Sequence, residues 1–196
     1  RITGEKMGLD ERDPKTFESF EEVEKAFYRQ FDNLIKHSAI ATIAAQKLHK
    51  ELVPRPFLSS CIENCLDEGM DLVDGGAKYN LGPVLTGIGL AVTSNSLAVI
   101  KKIIFEDKAA DMGSLIDALN SNWEGYEELR QMALKVPKYG NDEDYVDDIA
   151  IKIANNYYDE CHKYKDINGS NFNTAFMGIS NYLPTGRVVG ATPCGR

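Results

Sequence analysis

The side chains of this 196-residue sequence that could do chemistry are few and scattered. Four cysteines stand at Cys61, Cys65, Cys161 and Cys194, and three histidines at His37, His49 and His162. Cys61 and Cys65 are four apart, which on one helix sets two thiols side by side on successive turns. Cys161 and His162 are adjacent and point to different faces, so a zinc ion lacks the further ligands its tetrahedral shell needs. Four dispersed cysteines do not make a disulfide scaffold, and thiols in a reducing cytoplasm are the expectation. The histidines fall among helical residues with no serine or cysteine nucleophile motif beside them, and read as solvent-exposed helical positions. Asp142-Glu143-Asp144 and Asp147-Asp148 share only composition with a calcium loop. They lack its alternating ligand register and central glycine, which leaves charges complementing a helix start.

The glycines give no nucleotide loop either. Gly87-Ile88-Gly89-Leu90-Ala91-Val92 lacks the third glycine of the dinucleotide fingerprint, and no Gly-Lys-Ser/Thr closes a phosphate loop. Close chain packing is the simpler reading. Composition narrows the classes further. Hydrophobic residues make up 43% and charged residues 27%, enough for a core and too much for a disordered or membrane chain. The net charge of −8 disfavours a nucleic-acid binder, which needs clustered Lys and Arg. No apolar run reaches the length of about 18 residues that spans a bilayer, and no signal peptide is visible. A start at Arg1 rather than Met suggests a fragment or a processed product.

The elements that must position these residues follow from periodicity. Residues 1–18 are polar, broken by Gly4, Gly8 and Pro14, and read as an extended lead-in. Ser19-Phe20-Glu21-Glu22 is a capping box, and Phe20, Val23, Phe27, Phe31, Leu34 and Ile35 behind it predict an amphipathic helix to about Leu52. Pro54 and Pro56 stop it. A second helix is expected over Leu58–Glu68, with Gly69 as its C-cap. From Asp74 to Val92 five glycines punctuate an apolar, nearly uncharged stretch, which predicts buried extended chain against another backbone. Ser94 or Asn95 should cap a helix, Ser114–Trp123 and Tyr126–Lys135 form a pair, and a longer helix runs from Asn141 or Asp142 to about Lys165. Phe172–Asn181 reads as a second uncharged strand, closed by Pro184 and Gly186. Buried strands separated by helices are the grammar of an α/β body, and two strands cannot close one, so the chain reads as part of something larger.

Five strings, in order along the chain, carry a resemblance. They are Pro54-Arg55-Pro56-Phe57-Leu58, Gly75-Gly76-Ala77-Lys78-Tyr79-Asn80, Asn95 to Lys102, Pro137-Lys138-Tyr139-Gly140-Asn141-Asp142, and Gly190-Ala191-Thr192-Pro193-Cys194-Gly195-Arg196. Nearly the whole chain resembles the glycyl radical enzymes, the family of pyruvate formate-lyase and its diol, choline and hydroxyproline relatives. The resemblance implies the C-terminal-central part of a ten-stranded α/β barrel, mostly helical with two or more buried glycine-punctuated strands, as one partial domain over 1–196. It implies a lyase or dehydratase that cleaves a C–O, C–N or C–C bond of a small polar metabolite by thiyl-radical hydrogen abstraction. The radical is installed by a radical-SAM activating enzyme, no other cofactor or metal is bound, and the partners are that activase, the substrate and a second copy in a cytoplasmic homodimer. The Pro-Lys-Tyr-Gly-Asn-Asp and Ala-Thr-Pro-x-Gly-Arg strings place it nearer the dehydratases than formate acetyltransferase. A non-catalytic helical scaffold, a formate acetyltransferase and a cysteine-based redox or metal protein are the alternatives.

No cysteine here lies in the family's Gly-Cys-x-Glu context, so no catalytic residue is expected in this chain, which alone should be inactive. Arg187-Val188-Val189-Gly190 imitates the radical-glycine motif, but Ala191 stands where Tyr belongs, and Gly190 reads as a turn glycine after a barrel strand. Cys194 occupies a position where the family has Asp. In a barrel the strands turn alternate residues inward. That makes Thr174 and Phe176 on the second strand, and Thr86 on the first, the expected substrate-binding residues. Ala175 and Met177 take the opposite face. No basic residue projects from either strand, which argues against a strongly anionic substrate held there.

Overall fold

The computed structural model describes residues 8–178 and 182–196. Two compact units divide the chain. Phe31 and the residues before it, with Gly87–Asn156 and Phe176–Arg196, make the first, and Asp32–Thr86 with Tyr157–Ala175 make the second. Helices dominate: α1 (Phe20–Leu52), the single turns α2 (Pro56–Ser59) and α3 (Cys65–Glu68), α4 (Leu90–Val99), α5 (Met112–Asn120), α6 (Glu127–Lys135), α7 (Asp144–Cys161) and α8 (Tyr182–Val188). The strands β1 (Val84–Gly87) and β2 (Asn173–Phe176) form one two-stranded sheet. Asn173 N–H donates to the Pro83 carbonyl and Met177 N–H to that of Gly87, so both strands advance in the same direction. Same-direction pairing requires a long crossover, and α4–α7 supply it.

α1 begins where the capping signal lies. Ser19 Oγ accepts the Glu22 N–H at 3.3 Å, while the Glu22 carboxylate reaches back to the N–H of Glu18 at 2.8 Å. That backbone bond, first among its causes, holds the Glu22 carboxyl below its ordinary range. Phe20, Val23, Phe27 and Phe31 then pack on the core of the first unit, with the Phe27 and Phe31 rings stacked at 5.5 Å. Leu97 and Val99 on α4, Leu115 on α5, Leu129 on α6 and Val146 on α7 form the centre of that core. Burial of such side chains contributes roughly 1.5–3 kcal/mol each. α4 passes directly into a π-helical stretch, Ile100–Glu106, whose wider turn carries Lys101 over the Tyr145 ring at 4.7 Å.

Several expectations are corrected. The lead-in is not extended throughout: Pro14–Thr16 form a 3-10 turn that Asp13 caps, and residues 1–7 lie outside the described residues. The Leu58–Glu68 helix is two separate turns, because Asn64 sits in the left-handed region at φ 80°. Cys61 is consequently exposed and Cys65 buried, and the two thiols are not neighbours on one helix. The first strand is short and alternates exposed with half-buried residues, so the expected burial of both faces is not met by this chain. Helix α4 starts at Leu90, not at Ser94. Gly89 turns the chain at φ 88°, and the Ser94 and Ser96 hydroxyls donate to the carbonyls of Leu90 and Val92 from inside the helix.

α7 ends at Cys161, four residues early, because Asp166 organises a turn. Its carboxylate accepts from the N–H groups of Asn168 and Ser170. The second strand ends at Phe176, and Ile179–Asn181 lie outside the described residues. Pro184 and Gly186 do not close a strand but belong to α8, where the missing proline N–H falls in a first turn that needs no partner. His37 and His49 are exposed on α1 as expected, whereas His162 is half-buried, stacked on Tyr158.

The glycine-rich stretch does bring backbones together. A Cβ on Gly82 would stand 1.8 Å from the Asn171 carbonyl oxygen, and one on Gly76 2.2 Å from that of Met70. Gly82→Ala should therefore destabilise the protein by about 1–3 kcal/mol or more, since backbone rather than a flexible side chain must yield. Gly186→Ala, which meets nothing within 4 Å, should be neutral or slightly stabilising. Thermal unfolding of both variants measures the difference, and equal melting temperatures would refute the close-approach account.

Candidate functional site

A groove of about 1100 Å³ opens in the first unit. Three stretches line most of it: Gly87–Val92, Phe176–Gly178 and Gly186–Thr192. Each has a local reason for being there. Gly89 ends the β1 segment and starts α4, so the first turn of that helix faces the groove. β2 delivers Phe176 at its last position. α8 ends at Val188, and the chain continues through Val189 and Gly190 toward the Thr192–Arg196 turn.

That turn is fixed from behind by side chains. Thr192 N–H donates to the Arg196 carbonyl at 2.8 Å and Gly195 N–H to the Thr192 carbonyl at 3.1 Å. The Trp123 indole N–H donates to the Arg196 carbonyl at 3.1 Å, and Arg130 Nε to that of Gly195 at 3.0 Å. Trp123 and its neighbour Asn122 both lie in the left-handed region, at φ 68° and 55°. Non-glycine residues adopt that region at a cost, and two in succession, one of them bulky, are uncommon. The outcome is a division of labour: Asn122 lines the groove while Trp123, 6% exposed, is packed in the core.

Cys194 is buried in the same turn, its sulfur 3.2 Å from Thr192 Oγ1. Lys138 donates to the carbonyls of Ala133 and Val136, and burial lowers its ammonium from the ordinary range. Tyr139, which also lines the groove, is tied to α4 by its N–H donating to Asn95 Oδ1 at 2.8 Å. In the second unit burial pushes the Cys161 thiol up to about 11, so it is protonated and inert at neutral pH. A smaller cavity of about 300 Å³ there includes Gln46, His49 and Asp166. Three donors, from Asn168, Ser170 and Gln46, occupy the Asp166 carboxylate, which marks it as a structural group. Among the described residues no three His, Cys, Asp or Glu side chains converge in a way that could hold a metal.

Of the residues expected to bind substrate, Phe176 lines the groove. Thr86 is exposed on β1 and Thr174 half-buried on β2, and neither belongs to the lining. Met177 does, although alternation assigns it the face opposite Phe176, because β2 ends at Phe176 and the alternation ends with it. Sequence reasoning passed over Arg187 and Arg196, which both line the groove. Their signal was present in the Arg187–Gly190 string, weighed there for a radical glycine, and in the Gly190–Arg196 string, weighed there for the family resemblance. Gly190 itself follows a helix, not a strand, and lies exposed on the groove.

The chain matches the model of the pyruvate formate lyase-like family over residues 1–186. It is 33% identical to trans-4-hydroxy-L-proline dehydratase from Clostridioides difficile, across all of this chain and 25% of that protein. It is 32% identical to (2S)-3-sulfopropanediol dehydratase from Klebsiella oxytoca, across 99% of this chain and 24% of that one. The glycerol-bound B12-independent glycerol dehydratase from Clostridium butyricum superimposes with a TM-score of 0.91 at 35% identity, covering 96% of this chain and 24% of the other. The chain thus spans about a quarter of the length of the relatives it matches.

The strained turn behind the groove generates a stability test. Trp123→Phe keeps the ring in the core but removes the indole donor, which should cost about 1 kcal/mol and lower the melting temperature. Asn122→Gly relieves a left-handed residue while leaving Trp123 in place, and should be neutral or stabilising by up to about 1 kcal/mol. If Asn122→Gly destabilises as much as Trp123→Phe, the turn is not strained.

Proposed function

The chain belongs to the pyruvate formate lyase-like family of glycyl radical enzymes, and from that premise we propose that it forms the C-terminal-central part of a glycyl radical lyase. The whole enzyme would remove a leaving group from a small polar metabolite by breaking a C–O, C–N or C–C bond, with dehydration preferred. The radical supplies hydrogen-atom abstraction, and its glycine, the thiyl cysteine and the adjacent Glu are assigned to residues outside these 196. A radical-SAM activating enzyme is the proposed partner, and a cytoplasmic homodimer the proposed assembly. In the full enzyme β1 and β2 become two strands of the ten-stranded barrel.

What supports this reading most is the groove. Gly87–Val92, far from the others in sequence, meets Phe176–Gly178 and Gly186–Thr192 around one concave cavity, and the last stretch overlaps the family-like Gly190–Arg196 string. The part proposed for this chain is shape and recognition. Phe176 offers an aromatic wall, the backbone at Gly87–Gly89 permits close approach, and Tyr139 and Asn122 offer hydrogen-bonding groups. Thr174, two residues before Phe176 on β2, and Thr86 on β1 are proposed as further hydrogen-bonding partners of the substrate.

The test uses the full-length enzyme with its activating enzyme, assayed on trans-4-hydroxy-L-proline, (2S)-3-sulfopropanediol and glycerol. Dehydration of at least one is expected, together with a glycyl radical signal by electron paramagnetic resonance. Phe176→Leu should relax discrimination among the three with little loss of stability. Thr174→Val should weaken the preferred substrate by roughly 1–3 kcal/mol if its hydroxyl is a partner. Ala175 substitutions should act through melting temperature alone. An enzyme that forms the radical yet turns over none of the three, with kinetics insensitive to Phe176, would overturn the reading.

A further inference from the structure

We propose that the groove selects metabolites carrying a carboxylate or sulfonate, which Arg187 and Arg196 hold; the inference rests on the reading of this groove as the substrate site. The observation is one of charge. The chain carries 30 acidic against 22 basic residues, yet the groove lining contains two arginines and neither Asp nor Glu. In a chain of net charge −8 the side chains of this cavity carry the opposite sign. A cleft of one sign concentrates ligands of the other and speeds their entry.

The two guanidinium groups are available to a ligand. Neither Arg187 nor Arg196 has an ion-pair partner among the described residues, whereas Lys15, Arg29, Lys78, Lys102 and Arg130 are each paired with an acid. Arg196 reaches out from an anchored backbone. Its carbonyl is held by Trp123 and Thr192, and that of the preceding Gly195 by Arg130. Anchoring the main chain lowers the ordering that the side chain must undergo on binding. Arg187 comes from the last turn of α8, on a different element, so the two approach the groove independently.

The backbone adds to the same field. Leu90, Ala91 and Val92 form the first turn of α4 and line the groove, and their helix is capped by Gly89, which has no side chain to satisfy those N–H groups. An N-terminal helix turn carries partial positive charge. A carboxylate or sulfonate fits this environment because a guanidinium can give two of its oxygens parallel hydrogen bonds. A neutral polyol gives the arginines nothing that water does not. Strand-based reasoning disfavoured an anionic substrate because neither strand carries a basic residue. The arginines enter from α8 and the Thr192–Arg196 turn instead.

The experiment measures binding to the full-length enzyme without activation, so that no turnover intervenes. Calorimetric titration with trans-4-hydroxy-L-proline, (2S)-3-sulfopropanediol and glycerol is performed on the unaltered enzyme, Arg187→Gln, Arg187→Lys and Arg196→Gln. At least one of the two acid-bearing probes, the zwitterionic amino acid or the anionic sulfonate, should bind more than tenfold tighter than glycerol, and more weakly as salt is raised. Each Gln variant should lose about tenfold for that probe. Arg187→Lys should recover part of the loss, and melting temperatures should not move. Equal binding of anionic and neutral probes, binding of neither anion, or Gln variants that bind the anions undiminished would each overturn the proposal. Activated turnover separates the two readings. Turnover of any probe, with binding of the two acid-bearing probes that ignores both arginines, sinks the anion site and leaves the lyase. Arginine-dependent anion binding with no turnover of any probe sinks the dehydratase reading and leaves the anion site.

Discussion

The left-handed turn at Asn122 and Trp123 is the constraint on which the groove depends. Helix α5 ends at Asn120, and the chain must then reverse with Asn122 outward and a bulky indole inward. Two consecutive non-glycine residues at positive φ are retained because the indole has two uses. Its ring joins the core with Leu97, Leu115 and Leu129, and its N–H satisfies the Arg196 carbonyl. Glycine at position 122 or 123 would remove strain, but glycine at 123 would remove both uses as well. Gly195 completes the arrangement, because at φ 96° it brings its own Cα against Leu134, where a Cβ would come within 2.9 Å. The surface of the groove is thus an extension of the core's packing.

The second unit is governed by backbone proximity. Gly76 and Gly82 are in contact with carbonyls of Met70 and Asn171, and Asn80 secures the intervening loop by donating to Gly75 and Ala77. Ser170 Oγ donates in turn to the Asn80 carbonyl. The glycine-rich string is therefore explained by packing, as its lack of a nucleotide fingerprint suggested. This much was legible in the sequence, since glycines set among uncharged apolar residues let one backbone lie directly on another. The length of α1 was legible too, because its capping box and the prolines beyond it are strong local signals.

What could not be read was decided by tertiary contacts. Ser94 looks like a cap because serine often is one, but its hydroxyl bonds the carbonyl of Leu90 once Gly89 has turned the chain. Asn64 gives no warning that it will break a helix at φ 80°. Asp166 ends α7 early through two bonds to residues that follow it, which periodicity before it cannot reveal. For the site, Phe176 was legible by strand alternation. Arg187 and Arg196 were not, since their approach to the Gly87–Val92 loop depends on a helix where a strand end was expected.

Separating recognition from reaction resolves an apparent contradiction in this chain. Its cysteines are buried, as with Cys65, Cys161 and Cys194, or exposed, as with Cys61, and none lines the groove. Its histidines stand outside the groove as well. Among the described residues the groove lining has no Cys, His, Asp or Glu: it is made of glycine backbone, apolar side chains, one amide, one phenol, the Thr192 hydroxyl and two cations. Such a surface can orient a small molecule and fix its charge, but it cannot by itself move a proton or break a bond at neutral pH, since an arginine does not deprotonate. In the proposed enzyme that incapacity is useful. A reactive radical intermediate is best surrounded by groups that are neither strong acids nor strong bases, and the Trp123 and Arg130 anchors fix the turn behind this groove.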